Sequence, residues 1–223
     1  MILVLIPVLL ESGSIYAQET KVVKDFRVWT GVKVEKKLGK SWEVSLEEEM
    51  RFQKDASEIA SYFTQAGIDY RINRNFTIDG RYRFIQNQKK DGSFETRSRY
   101  NLDLKYKTSF YFISVHARLR YQKEVESMDL LNNRIPYEKY MRYRAEIRYE
   151  LMKDLTPFVS AELFQAHRLH DYPDLEQVRF AGGIVYEPGR FGKIEACYML
   201  DRELAVFLPY SYYTFSLNYS YTF

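Results

Sequence analysis

The chain has 223 residues, of which 28% are charged and 17% aromatic, with 33 Lys and Arg against 30 Asp and Glu for a net charge of +3. That length suits one domain. Beyond Leu10 no run approaches the about 20 apolar residues of a helical membrane span, the mild charge does not call for a polyanionic partner such as nucleic acid, and the lone Cys197 excludes an intramolecular disulfide.

Met1 to Leu10 are almost wholly apolar and lead through Glu11-Ser12-Gly13-Ser14 to Ala17. This pattern predicts a secretory signal peptide over residues 1–17, although no basic residue precedes the apolar run and Glu11 interrupts it. The alternative is a buried hydrophobic N-terminal strand. Losing residues 1–17 removes Glu11 alone among charged residues and leaves about +4.

Residues 18–223 form the second predicted unit, a succession of segments with period two, which places successive side chains on opposite faces of a strand. In chain order they cover 26–36, 42–52, 59–72, 76–86, 98–108, 111–122, 139–151, 156–168 (weaker), 178–187, 193–204 and 213–223. In 139–151, for example, Met141, Tyr143, Ala145, Ile147, Tyr149 and Leu151 alternate with Arg142, Arg144, Glu146, Arg148 and Glu150. These segments are far longer than the roughly 5–6 residues of soluble strands and match the about 9–11 needed to cross a membrane at a tilt.

Short turns are predicted at 37–41, 73–75, 107–109, 152–155 and 188–192, and longer polar links at 53–58, 87–95, 123–137 and 169–176. Short turns on one side and long loops on the other are how outer-membrane barrels are built. Aromatics crowd the short-turn side, at Trp42, Tyr70, Phe76, Tyr106, Phe110, Tyr149, Phe158, Tyr186, Phe191 and Phe223. A second set nearer the long links includes Tyr62, Tyr82, Phe84, Tyr100, Tyr121 and Tyr143. Two such bands match interfacial girdles. The expected fold is therefore all-β: a transmembrane antiparallel up-and-down β-barrel in a Gram-negative outer membrane, with about 10–12 strands. A soluble lipocalin-like barrel or sandwich is the competing architecture. Eleven segments conflict with the even strand number of bacterial single-chain barrels. Either a strand around 18–30 escapes the reading or 26–36 is not an ordinary wall strand.

Tyr219-Ser220-Tyr221-Thr222-Phe223 resembles the C-terminal signal by which the barrel-assembly machinery recognises its clients. Further resemblance lies in Val34 to Leu38 with Trp42, Ser45 to Phe52, Tyr62 to Ile68, Tyr82-Arg83-Phe84, Arg118 to Gln122 and Ser160 to Phe164. Together these are similar to domain-of-unknown-function family 2490, over about residues 24 to 223. The resemblance implies an exported barrel and brings no activity, ligand or catalytic residue with it.

The strongest chemical cluster lies in the polar phase. Arg81 and Arg83, Arg97 and Arg99, Arg118 and Arg120, and Arg142, Arg144 and Arg148 recur two apart. Glu43, Glu47, Glu49, Asp69, Asp79, Asp103, Glu146, Glu150, Glu162, Glu195 and Asp201 share that phase. Confined charges need paired, hydrogen-bonded partners, and Arg forks suit carboxylates, so a mutually neutralising lumen network is expected. A pore orienting small polar solutes is the functional alternative. Ten to twelve strands favour a narrow or plugged lumen, because wide aqueous channels need about 16–18.

Ser114 and His116 share the polar face two residues apart, the minimum for a membrane-embedded lipid hydrolase, but no Asn or Asp is evidently placed to orient the imidazole. His167, His170, Asp171 and Asp174 have metal-ligand chemistry yet lie near a long link, where such residues are usually solvated; no metal and no cofactor are expected. Gln88-Lys89-Lys90-Asp91-Gly92 has a single Gly and no following helix, so it reads as a turn and not a phosphate cradle. No dinucleotide, P-loop or nucleic-acid motif is present. The sequence thus points to a non-enzymatic outer-membrane barrel, either a narrow or occluded channel or a structural or adaptor barrel. Its expected partners are outer-membrane lipid, the assembly machinery during biogenesis and a small polar solute.

Overall fold

The computed structural model describes residues 23–89, 91–126, 137–167, 174–204 and 209–223. Eleven strands account for almost all of them: β1 (Val23–Leu38), β2 (Trp42–Gln53), β3 (Glu58–Arg71), β4 (Phe76–Gln88), β5 (Phe94–Phe110), β6 (Ile113–Glu126), β7 (Tyr137–Tyr149), β8 (Leu155–Ala166), β9 (Asp174–Tyr186), β10 (Lys193–Glu203) and β11 (Tyr210–Thr222). The abundant aromatic and β-branched residues in alternation favour this pleated, half-buried state. Among the described residues no helix is long and apolar enough to cross a membrane, which says nothing of strands.

The sheet closes on itself as an up-and-down barrel of neighbouring antiparallel pairs, except at one seam. There β1 pairs with β11 in parallel, from Val23 with Tyr210 to Glu35 with Thr222. An odd number of alternating strands forces this arrangement, since the first and last must run the same way. The difficulty in the strand count resolves accordingly: among the described residues β1 is an ordinary wall strand, and closure needs no twelfth.

Stepping across cross-strand partners from Leu38 through Trp42, Tyr70 and successive neighbours returns to β1 at Lys24, about 14 residues up the strand. With eleven strands this shear corresponds to a tilt of roughly 45° and a backbone radius of about 11 Å. Long side chains from opposite walls therefore nearly meet at the axis.

Alternation sorts the two faces. Outward-facing side chains such as Leu46, Leu102, Phe180 and Leu217 are exposed, while interior Asp79, Asp103, Glu162 and Asp201 are almost inaccessible. Trp42, Tyr70, Phe76, Tyr106, Tyr149 and Phe223 stand outward at the short-turn end, and Tyr62, Tyr82, Phe84, Tyr100, Tyr121 and Tyr143 outward toward the other. Phe158 departs from the expected band. It faces inward, only 4% exposed, packed with Val185, Cys197 and Met199, with Trp29 and Ala181 against that group. Its partner on β7 is Arg148, which faces inward, and ladder partners share a face.

The turn expected at 107–109 is also displaced. β5 continues to Phe110 and reverses at Tyr111 and Phe112, with Tyr111 at φ 52° and 84% exposed. Lys107-Thr108-Ser109 looks turn-like by polarity alone, yet Lys107 and Ser109 pair with His116 and Ser114 in the ladder. The hairpin at 187–192 has a stricter requirement. Gly192 sits at φ 82°, and a Cβ there would lie 2.5 Å from the Ser220 carbonyl oxygen. Of the long links, 123–137 and 169–176 fall mostly outside the described residues. In the 88–92 stretch Lys90 lies outside the described residues; beside it the Ser93 N–H and hydroxyl donate to Asp91 at 2.9 and 2.6 Å, lowering its carboxyl pKa.

Candidate functional site: the charged interior and its turn-end vestibule

The wall supplies carboxylates and the opposing reach of arginine supplies donors. Arg120 grips Asp103 with two parallel bonds, Nε to Oδ1 and Nη2 to Oδ2, both 2.6 Å. Arg179 holds Asp201 in the same way at 2.5 and 2.9 Å. Glu162 receives Arg118 at 2.6 Å and Arg142 at 3.0 Å, and Arg142 also donates to Gln122 at 2.9 Å. Arg81 lies between Asp69 and Asp79, 3.2 Å from each, and Lys105 joins the same two carboxylates. Arg99 and Arg97 share Glu124, and Arg97 also faces Glu95. Arg144 and Arg148 share Glu146, with Arg148 3.8 Å from Glu195. Short Asp side chains cannot leave the wall, whereas the guanidinium stem arches over them. The open space at mid-height nevertheless meets Glu47, Glu49, Glu162 and Glu195 beside the guanidinium groups.

Among the described residues, Arg83 has no carboxylate within ion-pair distance. It donates to Gln65 Oε1 at 2.9 Å, and Gln65 in turn donates to Glu47 at 2.8 Å. Its guanidinium stacks 3.5 Å from the centre of the Phe63 ring. Similar contacts join Arg51 to Trp29 (4.0 Å) and Arg142 to Phe164 (4.2 Å), while Arg179 lies 5.2 Å from Trp29 and 5.3 Å from Phe164. These interior aromatics break the rule that aromatics face outward. The signal was available in the sequence: Trp29 shares the phase of Arg27 and Lys33, Phe63 that of Gln65, and Phe164 that of Glu162. Cation–π stacking desolvates an arginine without requiring another carboxylate.

Among the described residues, neighbouring spaces share lining residues. A vestibule of about 640 Å³ opens at the short-turn end, lined by Arg71, Arg74, Lys107 and His116 among others. Beside it a space of about 510 Å³ is bordered by Lys40, Glu43 and Arg71. A smaller one of about 390 Å³ sits at mid-height and shares Lys105, Arg118, Arg144 and Glu195 with the vestibule. Its walls include Trp29, Arg51, Arg83, Arg142 and Arg179, which take part in the cation–π contacts. Most of the expected lumen network lines these spaces or pairs inside the barrel, whereas Glu150, just past the end of β7, is exposed. Glu43 lies at the mouth, opposite Asp69 in the β2–β3 ladder, and lines the same space as Asp69 and Lys105. Arg71, Arg74 and Lys107 also belong to the site: Arg71 continues the polar phase of Gln65 and Asp69, and Lys107 that of Asp103 and Lys105, while Arg74 in the turn has no periodic signal.

Ser114 and His116 meet, with Oγ and Nε2 3.2 Å apart. An acid also stands behind the imidazole. Glu146 is the ladder partner of His116, and its Oε1 lies 4.0 Å from Nδ1. This separation exceeds a hydrogen bond, and Arg144 and Arg148 already occupy that carboxylate. His167 is exposed at the end of β8 and Asp174 begins β9, whereas His170 and Asp171 lie outside the described residues. Among the described residues, no three His, Cys, Asp or Glu gather with metal-binding geometry.

At the C-terminus, Tyr219, Tyr221 and Phe223 stand on the outer face, with Tyr219 donating to the Phe191 carbonyl at 3.1 Å. The Phe223 N–H donates to the Glu35 carbonyl at 3.0 Å, tying the last residue into the parallel seam. The chain matches none of the curated proteins compared. The family model described as a protein of unknown function (DUF2490) matches residues 26–204, which run from β1 to just past the end of β10. The barrel with this charged interior is therefore a member of the DUF2490 family.

Proposed function

We propose that this protein is an integral barrel of a Gram-negative outer membrane, in the form of a narrow channel occluded by its arginine–aromatic layer. One observation carries the membrane reading: the barrel is inside out relative to a soluble protein. Its outer wall exposes Leu, Ile, Val, Phe and Tyr around the circumference, and its interior holds the charges. In water that outer surface would be an apolar patch far beyond the few hundred Å² that soluble monomers tolerate. In a bilayer it is solvated by acyl chains, and closure leaves no backbone edge unpaired. The reading includes a cleaved signal over residues 1–17 and recognition of Tyr219, Tyr221 and Phe223 by the assembly machinery. The stacked layer of Trp29, Arg51, Phe63, Arg83, Phe164 and Arg179 supports occlusion, since it stands inside a barrel of only about 11 Å radius. Purified protein in a planar bilayer tests it: small, infrequent conductance steps are expected, and a large constant conductance of the porin type would overturn occlusion.

The Ser114–His116 hydrogen bond favours a second reading, hydrolysis of an ester that enters the vestibule. The proton of Ser114 would pass to His116, with Glu146 freed from its arginines to orient the imidazole. Ester hydrolysis by the purified barrel that disappears in both Ser114→Ala and His116→Ala supports it; hydrolysis unchanged in either variant excludes it.

A further inference from the structure

Seven Lys and Arg side chains line the vestibule against two carboxylates, Glu146 and Glu195. Four of the seven are compensated within the network: Lys105 by Asp69 and Asp79, Arg118 by Glu162, and Arg144 and Arg148 by Glu146. The remaining three, Arg71, Arg74 and Lys107, have no carboxylate within ion-pair distance among the described residues, and all are exposed at the mouth. Deeper in, the buried Nε of Arg118 has no acceptor. The surplus cations are held in place by an ordered turn. Asn73 accepts the N–H groups of Asn75 and Phe76 at 2.8 and 2.9 Å, and the Asn75 amide donates to the Lys107 carbonyl at 2.8 Å. Arg71 is anchored by its N–H to the Ser41 carbonyl at 2.8 Å.

Uncompensated cations around a concave space with low-dielectric walls concentrate anions. Guanidinium forks match the oxygens of phosphate and carboxylate. We propose that the turn-end vestibule binds a small multivalent oxyanion of the phosphate class, gripped at the mouth by Arg71, Arg74 and Lys107. Its inner oxygens face Arg118 and Arg148. An anion of this size fits a space of about 640 Å³ with room to spare, so the pocket also admits a small organic phosphate. Binding needs no open passage through the barrel, so the site stands whether or not the lumen conducts. The same chemistry could come from a free phosphate or from the headgroup of an anionic lipid reaching into the mouth.

The test is calorimetric titration of the full chain in maltoside micelles that contain no phospholipid. One arm uses inorganic pyrophosphate and the other a short-chain phosphatidic acid, each at constant ionic strength set with chloride. Saturable binding is expected in at least one arm, weakened about tenfold or more in the triple variant Arg71→Gln, Arg74→Gln, Lys107→Gln. The arm that binds identifies the source. Arg202→Gln, at the far end of the barrel, should bind as the parent does. Lys107→Glu alone should weaken binding as well, which keeps the test open if the triple variant loses its heat-dependent gel mobility. Failure of both arms to saturate, or parent-like affinity in the triple variant and Lys107→Glu, overturns the site. Neither outcome bears on whether the barrel spans a membrane.

Discussion

The two halves of the interior use the same residue types to opposite ends. From mid-height toward the long links, nearly every arginine meets a carboxylate or an aromatic ring, as with Arg120 on Asp103, Arg179 on Asp201 and Arg83 on Phe63. Near the short turns, Arg71, Arg74 and Lys107 have neither among the described residues, and space opens around them. The difference lies in register. Where a ladder sets an acid beside an arginine, as at Glu162 and Arg179, burial of the pair is tolerable. Where the strands end, no such neighbour exists, so the charge stays at the solvent. One half is consequently a packed polar core and the other a receptive mouth.

Breaking the packed half should have the largest effect. Glu162→Leu strands Arg118 and Arg142 together and is expected to cost about 3–5 kcal/mol, read from denaturant unfolding in micelles. On the short-turn side, Phe158→Ala empties the apolar interior cluster against Val185, Cys197 and Met199, and about 3 kcal/mol is expected by the same measurement. Glu48 sharpens the contrast between inner and outer faces. It is exposed on the outer wall near the middle of β2, with the Thr64 hydroxyl donating to it at 2.6 Å. In a bilayer Glu48→Leu should stabilise the barrel by about 1–2 kcal/mol, and a loss of stability would count against lipid on that face. The smallest effect is expected at the mouth, where Glu43→Gln should change stability by less than about 0.5 kcal/mol.

Alternation made the strands, the two faces and most of the lumen network legible in the sequence, because a half-buried strand writes its period directly into residue order. Pairings between strands left no such mark. Glu146 could not be matched with His116 until the β6–β7 ladder set them side by side. Glu162, whose ladder partner is Arg144, receives Arg142 from a diagonal position on β7 and Arg118 from two strands away on β6. Phe158 was misplaced because Phe satisfies an outward apolar position and an inward aromatic one equally well. The reversal at Tyr111 escaped because it uses two large aromatics where Gly or Asn would mark a turn. The parallel seam follows from an odd strand count alone, yet only closure of β1 on β11 establishes that the count is odd.

The two tryptophans of the chain probe the inside-out arrangement directly, since Trp42 stands on the outer wall and Trp29 within the barrel. With protein refolded into bilayers of brominated-chain lipid, Trp29→Phe leaves Trp42 as the sole tryptophan and Trp42→Phe leaves Trp29. Strong quenching of Trp42 and little of Trp29 is the expected result. Equal quenching of both, or none of either, would contradict a barrel that turns its apolar wall to lipid and its charges inward.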